Sequence, residues 1–178
     1  MQFSHNPTTS FDLIHPTGEF SVRLMIIAMM ISPLRQLFGR RGWTDWLLKR
    51  RRAIGVAAFG YALLHLVFYL IDMAVWEQVV KDAMIFSIWT GYIAFAIFTV
   101  MALTSNDSAM RMLRANWKRL QRFVYAAAIL TALHWVYVDG EWRGALIHFI
   151  PLAALEIARV AHIFTKRSRK TAQVGTVI

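Results

Sequence analysis

The chain has 178 residues, 57% of them hydrophobic, and a mean hydropathy of +0.44. Only 17% are charged, below the share usual for globular domains, which excludes a disordered or solvated charged coil. The absence of cysteine excludes disulfides, iron–sulfur clusters and thiolate metal sites.

Taken in chain order, five stretches are apolar enough and long enough to cross a bilayer, at approximately 20–38, 53–74, 83–103, 120–138 and 144–164. The sequence thus predicts an all-α membrane protein, a bundle of about five transmembrane helices. The opening residues MQFSHNPTTSFDLIHPTGEF are polar and lack a basic leader, so no cleavable signal is expected there. Residues 1–19 read as an extramembrane segment, 20–164 as the membrane domain and 165–178 as a basic tail. Internal repeats and low-complexity tracts are not evident.

Positive charge decides the orientation. Loop 39–52 carries Arg40, Arg41, Lys49, Arg50, Arg51 and Arg52, and loop 104–122 carries Arg111, Arg114, Lys118, Arg119 and Arg122. The tail adds Lys166, Arg167, Arg169 and Lys170. On the alternate side, connection 75–82 has Lys81 and 139–143 has Arg143, while 1–19 has no basic residue. By the positive-inside rule the amino terminus lies outside and the carboxyl terminus inside. The net charge of +10 therefore reads as topology and contact with anionic lipid, and nucleic acid is a poor explanation for it. Asp12, Glu19, Asp72, Glu77, Asp82, Asp139 and Glu141 fall on the outer side and read as a solvated face, while Asp45 and Asp107 stand in basic loops and also read as solvated.

Histidine is costly inside a membrane and usually faces a partner or a cavity. His65 lies 13 residues beyond Arg52 and His134 lies 13 residues beyond Gln121, so each sits about 20 Å along its helix from the inner edge. Two imidazoles at one depth, on helices running the same way, are placed to grip one flat macrocycle from opposite faces, as in a bis-imidazole haem b. A membrane histidine can also do no more than bond a neighbouring carbonyl. The depth match and the aromatic neighbours Phe68, Tyr69, Trp135 and Tyr137 favour the ligand reading. His148, one turn into the last span, is the reserve ligand or a donor to a propionate. His162 reads as a surface group and His5 as solvated. Glu156 and Arg159, spaced i,i+3, read as an intrahelical pair; the sharper alternative has Arg159 holding a cofactor carboxylate.

Several segments resemble the ferric reductase-like transmembrane family: IHPTGEF at 14–20, ISPLRQLFG at 31–39, RRAIGVAAFGYALLHL at 51–66 and ALTSNDSAMRMLRANWKRLQRFVYAAAILTALHWVY at 102–137. Within that family they are similar to the haem-binding membrane subunits of periplasmic protein-methionine-sulfoxide reductase systems. The resemblance implies a helical bundle in the bacterial inner membrane that binds haem b and FMN. It further implies that electrons pass from quinol or a cytoplasmic flavin reductase to a periplasmic molybdenum-cofactor reductase. His65 and His134 match the family's haem histidines, His15 with Thr17-Gly18 matches its outer HxTG segment, and Arg51-Arg52 matches its basic pair. Gln121 departs from the family pattern, which commonly carries a second histidine there; one haem is expected, and Gln121 counts against a second. The expected role is an electron conduit rather than a free-standing catalyst. The alternatives are a reductase component with another acceptor, such as ferric iron, and a non-redox membrane scaffold.

Overall fold

A computed structural model describes residues 11–175 apart from 74 and 141. Among them eight helices follow in order: α1 (Phe11–Phe38), α2 (Gly42–Met73), α3 (Trp76–Asp82), α4 (Phe86–Leu103), α5 (Asp107–Leu113), α6 (Ala115–Gln121), α7 (Val124–Asp139) and α8 (Trp142–Gly175). No strand occurs among the described residues. The expectations for His5 and Glu141, and for the side chains of Arg167, Arg169 and Lys170, lie outside what is described.

Four helices meet the length and apolarity needed to span a membrane, over 12–38, 42–73, 86–103 and 142–166. The fifth expected span is α7, whose 16 residues cover about 24 Å. It falls short of the length the other four reach, because the expected stretch 120–138 is broken by the end of α6 and the turn at Arg122 and Phe123. Large apolar side chains point away from the bundle, among them Ile129, Ile147, Ile157 and Leu103, as expected where lipid replaces water.

Helix α1 is the most enclosed of the spans and packs against α2, α7 and α8, while α4 packs against α7 and α2. The core joins Val22, Met25, Ile26 and Met29 of α1 to Ala58 of α2, Ala128 of α7 and Leu152 of α8. Small residues let these backbones approach: Ala58, Ala94, Ala127, Ala128 and Ala145 are all buried. At one such crossing the buried Ser21 hydroxyl donates to the Ala58 carbonyl at 2.9 Å, tying α1 to α2.

Three boundaries differ from the sequence expectation. Helix α1 begins at Phe11, so the polar stretch His15–Glu19 is helical rather than a free leading segment. Thr17 is tolerated there because its hydroxyl returns to the carbonyls of Leu13 and Ile14, at 2.6 and 3.0 Å. Connection 75–82 forms α3, and α8 continues through the basic tail to Gly175. Of the two loop aspartates, Asp107 is exposed as expected, while Asp45 is only partly so, and each meets an arginine. Asp45 accepts from Arg35 at 3.0 Å and lies 3.9 Å from Arg40, closing the α1–α2 turn. Asp107 pairs with Arg52, linking the start of α5 to α2. Gly39 and Gly140 follow helix ends at φ +75° and +68°, a conformation that favours glycine.

Candidate functional site: a cavity between two histidines

His65 on α2 and His134 on α7 face one another across a cavity of about 510 Å³, with ring centroids 6.2 Å apart and ring planes at 85°. Each ring is held in the same way. His65 Nδ1 lies 2.8 Å from the Ile14 carbonyl, and His134 Nδ1 lies 2.6 Å from the Ser87 carbonyl. A carbonyl only accepts, so in each ring Nδ1 carries the proton and Nε2 keeps its lone pair. A backbone carbonyl on the far nitrogen is the usual support of a metal-binding imidazole, since it fixes both tautomer and orientation.

Each accepting carbonyl stands four residues before a glycine, Ile14 before Gly18 on α1 and Ser87 before Gly91 on α4. A helical residue's side chain lies beside the turn before it, and here that space is taken by an imidazole. A Cβ added at Gly18 would sit 2.9 Å from His65 Nδ1, and one at Gly91 only 2.7 Å from His134 Nδ1. Gly18 was singled out by the HxTG segment. Gly91 and Ser87 carry no motif, and the one signal for them in the sequence is an isolated glycine inside an apolar helix, which marks close approach.

The cavity's apolar walls include Leu66, Phe95, Phe98 and Trp135, and its polar groups include His15, Glu19, Tyr69, Tyr92 and Asp139. His15 Nε2 lies 3.3 Å from Asp139 and bridges α1 to α7 at the cavity's edge. The pair of histidines suits a macrocycle better than a bare ion. Among the described residues no three His, Asp or Glu side chains converge as a metal cage. With about 2 Å per nitrogen–metal bond and about 1.2 Å from nitrogen to ring centre, two imidazoles on opposite faces of one iron have centroids about 6.4 Å apart. The observed 6.2 Å fits that arrangement.

The other residues singled out in the sequence lie elsewhere. His148 on α8 packs its ring 5.1 Å from Trp135 but does not line the cavity. Its Nδ1 donates to Gly144 O at 2.8 Å, and its Nε2 accepts from Arg23 Nε at 3.1 Å. Both nitrogens are engaged, so the reserve-ligand reading finds no free lone pair. Arg23 also pairs with Glu19, which does reach the cavity.

The arginines gather toward the opposite end of the bundle. Arg51 Nε donates to the Ala28 carbonyl at 3.1 Å. Arg159 pairs with Glu156 at 2.7 Å, the expected i,i+3 contact, and donates to the Tyr125 hydroxyl at 3.3 Å. Its buried Nε has no hydrogen-bond partner among the described residues. Gln121 donates to Met101 O at 3.3 Å, and His162 is exposed.

These features define a multi-pass, all-helical membrane protein with a cavity bounded by paired, carbonyl-supported histidines. Residues 17–132 match the profile of the ferric reductase like transmembrane component, and the chain belongs to that family. It is similar to the protein-methionine-sulfoxide reductase heme-binding subunit MsrQ of Xanthomonas euvesicatoria pv. vesicatoria, 33% identical over 93% of this chain and 75% of that protein. The Brucella ovis protein of the same name is 32% identical over 96% of this chain and 76% of its own length. The MsrQ of Xanthomonas campestris pv. campestris is 34% identical, over 81% of this chain; the match spans 66% of that relative's length.

Proposed function

We propose that this chain is a haem-binding electron-transfer subunit of a bacterial inner-membrane methionine-sulfoxide reductase system. The observation that carries the reading is the His65–His134 pair, 6.2 Å apart, with both Nδ1 atoms committed to backbone carbonyls. The names of the MsrQ relatives point the same way. His65 and His134 would hold haem b through their Nε2 atoms, and the group would supply one-electron chemistry. The protein's part is to hold the two imidazoles as neutral ligands, to surround the site with apolar walls and to set its depth.

In this reading the amino terminus and the His15–Asp139 edge face the periplasm. Electrons leave there for a molybdenum-cofactor methionine-sulfoxide reductase. Quinol or a flavin reductase supplies them at the inner end. FMN belongs to the same proposal, with Arg51 beside Tyr125, Glu156 and Arg159 as the basic group offered to it; Arg52 is committed to Asp107. One haem per chain is proposed, because Gln121 amide nitrogen bonds Met101 and offers no imidazole.

The test is the absorbance spectrum of the detergent-purified chain grown with ample haem. A dithionite-sensitive b-type spectrum that is lost in His65→Ala and in His134→Ala, yet survives His148→Ala, supports the assignment. A folded but colourless preparation overturns it.

A further inference from the structure

Haem b carries two propionates, and the cavity wall shows what is placed to receive them. Among the described residues lining it there is neither Lys nor Arg. Glu19 and Asp139 line it too, but carboxylates only accept hydrogen bonds and repel another carboxylate. The Ser21 hydroxyl is spent on Ala58 O. Two phenols remain. Tyr69 lies one helical turn beyond His65, about 6 Å along α2, and Tyr92 follows Gly91, the residue that receives the His134 ring. Their rings lie 6.5 Å apart, both line the cavity, and both hydroxyl oxygens are buried with no well-formed hydrogen bond among the described residues, although Tyr69 neighbours Tyr92 and Asp82. Buried hydroxyls are rarely left without an acceptor, and two side by side on one cavity wall require an explanation.

We infer that Tyr69 and Tyr92 bind the carboxylate edge of the macrocycle held by His65 and His134, an inference that rests on the haem reading above. A carboxylate offers two acceptor oxygens to two O–H donors, and a charged acceptor strengthens each bond. The tyrosines are positioning residues: they fix the rotation of the macrocycle about the axis through the two imidazoles, which the axial bonds leave undetermined. Asp82 faces Tyr69 from the end of α3 and is the competing acceptor for that hydroxyl, so Tyr92 is the clearer probe.

The experiment uses the full chain purified without haem, titrated with haemin and with haemin dimethyl ester, whose carboxylates are blocked. The wild type is expected to bind haemin more tightly than the ester, by about tenfold for each hydroxyl engaged. Tyr92→Phe should lower that preference, and Tyr69→Phe/Tyr92→Phe should abolish it, with ester affinity unchanged. A preference that is absent in the wild type, or undiminished in the double variant, overturns the inference. So does equal weakening toward both ligands, which would assign the hydroxyls to the fold alone. These results leave the haem reading standing, because both ligands still give a six-coordinate Soret spectrum that requires His65. Failure of both ligands to give that spectrum defeats the haem reading itself, and this inference with it.

Discussion

Replacing Gly91 by alanine tests the histidine geometry with a single methyl group. The added Cβ would lie 2.7 Å from His134 Nδ1, 2.8 Å from Cε1 and 3.2 Å from Cγ. To restore ordinary van der Waals contact the ring has to retreat by about 0.7 Å. That movement stretches the 2.6 Å bond to Ser87 O, which fixes the tautomer. Over-packing costs about 1–3 kcal/mol, whereas alanine in place of glycine inside a helix returns about 1 kcal/mol. The net change in fold stability is therefore small, roughly 0–2 kcal/mol. Loss of an outer hydrogen-bonding partner lowers metal affinity by about 10- to 100-fold. The expected signature is haem occupancy that collapses while the melting temperature barely moves. Pyridine haemochrome per chain and thermal unfolding in detergent measure the two quantities. Gly60→Ala is the control, since nothing lies within 4 Å of its added Cβ, and its occupancy should not change. Full haem occupancy in Gly91→Ala would refute the proposition that this glycine makes room for a ligand.

Three further outcomes follow from the same geometry. Arg159→Met leaves Glu156 partly buried without its cation and should cost roughly 1–3 kcal/mol; Arg159→Met/Glu156→Gln should recover part of it, read by thermal melts. Arg52 holds the Asp107 carboxyl below its ordinary range, so its contribution to stability is present above about pH 4 and is lost as the pH falls through its lowered value. Asp107→Asn should therefore loosen the loop to limited proteolysis by a constant factor between pH 5 and 8, with the difference closing only in acid. The chain has no cysteine, so single introduced thiols report sidedness: Glu77→Cys should react with an impermeant maleimide at the periplasmic face, and Asn106→Cys only after the membrane is opened.

Much of the architecture is legible in the sequence because lipid imposes long apolar runs and these are visible in a window of residues. The His65–His134 pairing is legible for a related reason, since matched helical depth can be counted from the basic edges. What escapes is carried by the backbone. The Ile14 and Ser87 carbonyls have no signature in residue type, and Gly91 acts through what it lacks. The start of α1 at Phe11 escapes the sequence because Thr17 is polar by composition but satisfies itself on the Leu13 and Ile14 carbonyls. Asp107 is solvated as the sequence suggests, but its pairing with Arg52, like that of Asp45 with Arg35, comes from another helix at a separation that local patterning does not report. His148 lay close to the cavity by depth alone, and only its contacts with Arg23 and Gly144 show that its nitrogens are engaged.

The carbonyl-and-glycine notch occurs twice, and each copy serves a histidine from a later helix in its own part of the chain. Ile14 and Gly18 orient His65 within α1–α2, while Ser87 and Gly91 orient His134 within α4–α7. Each half thus brings a preset jaw, and neither can clamp anything alone. A polypeptide severed in the α3 region should leave two fragments that meet again around the pigment, with colour itself reporting that the vice has closed.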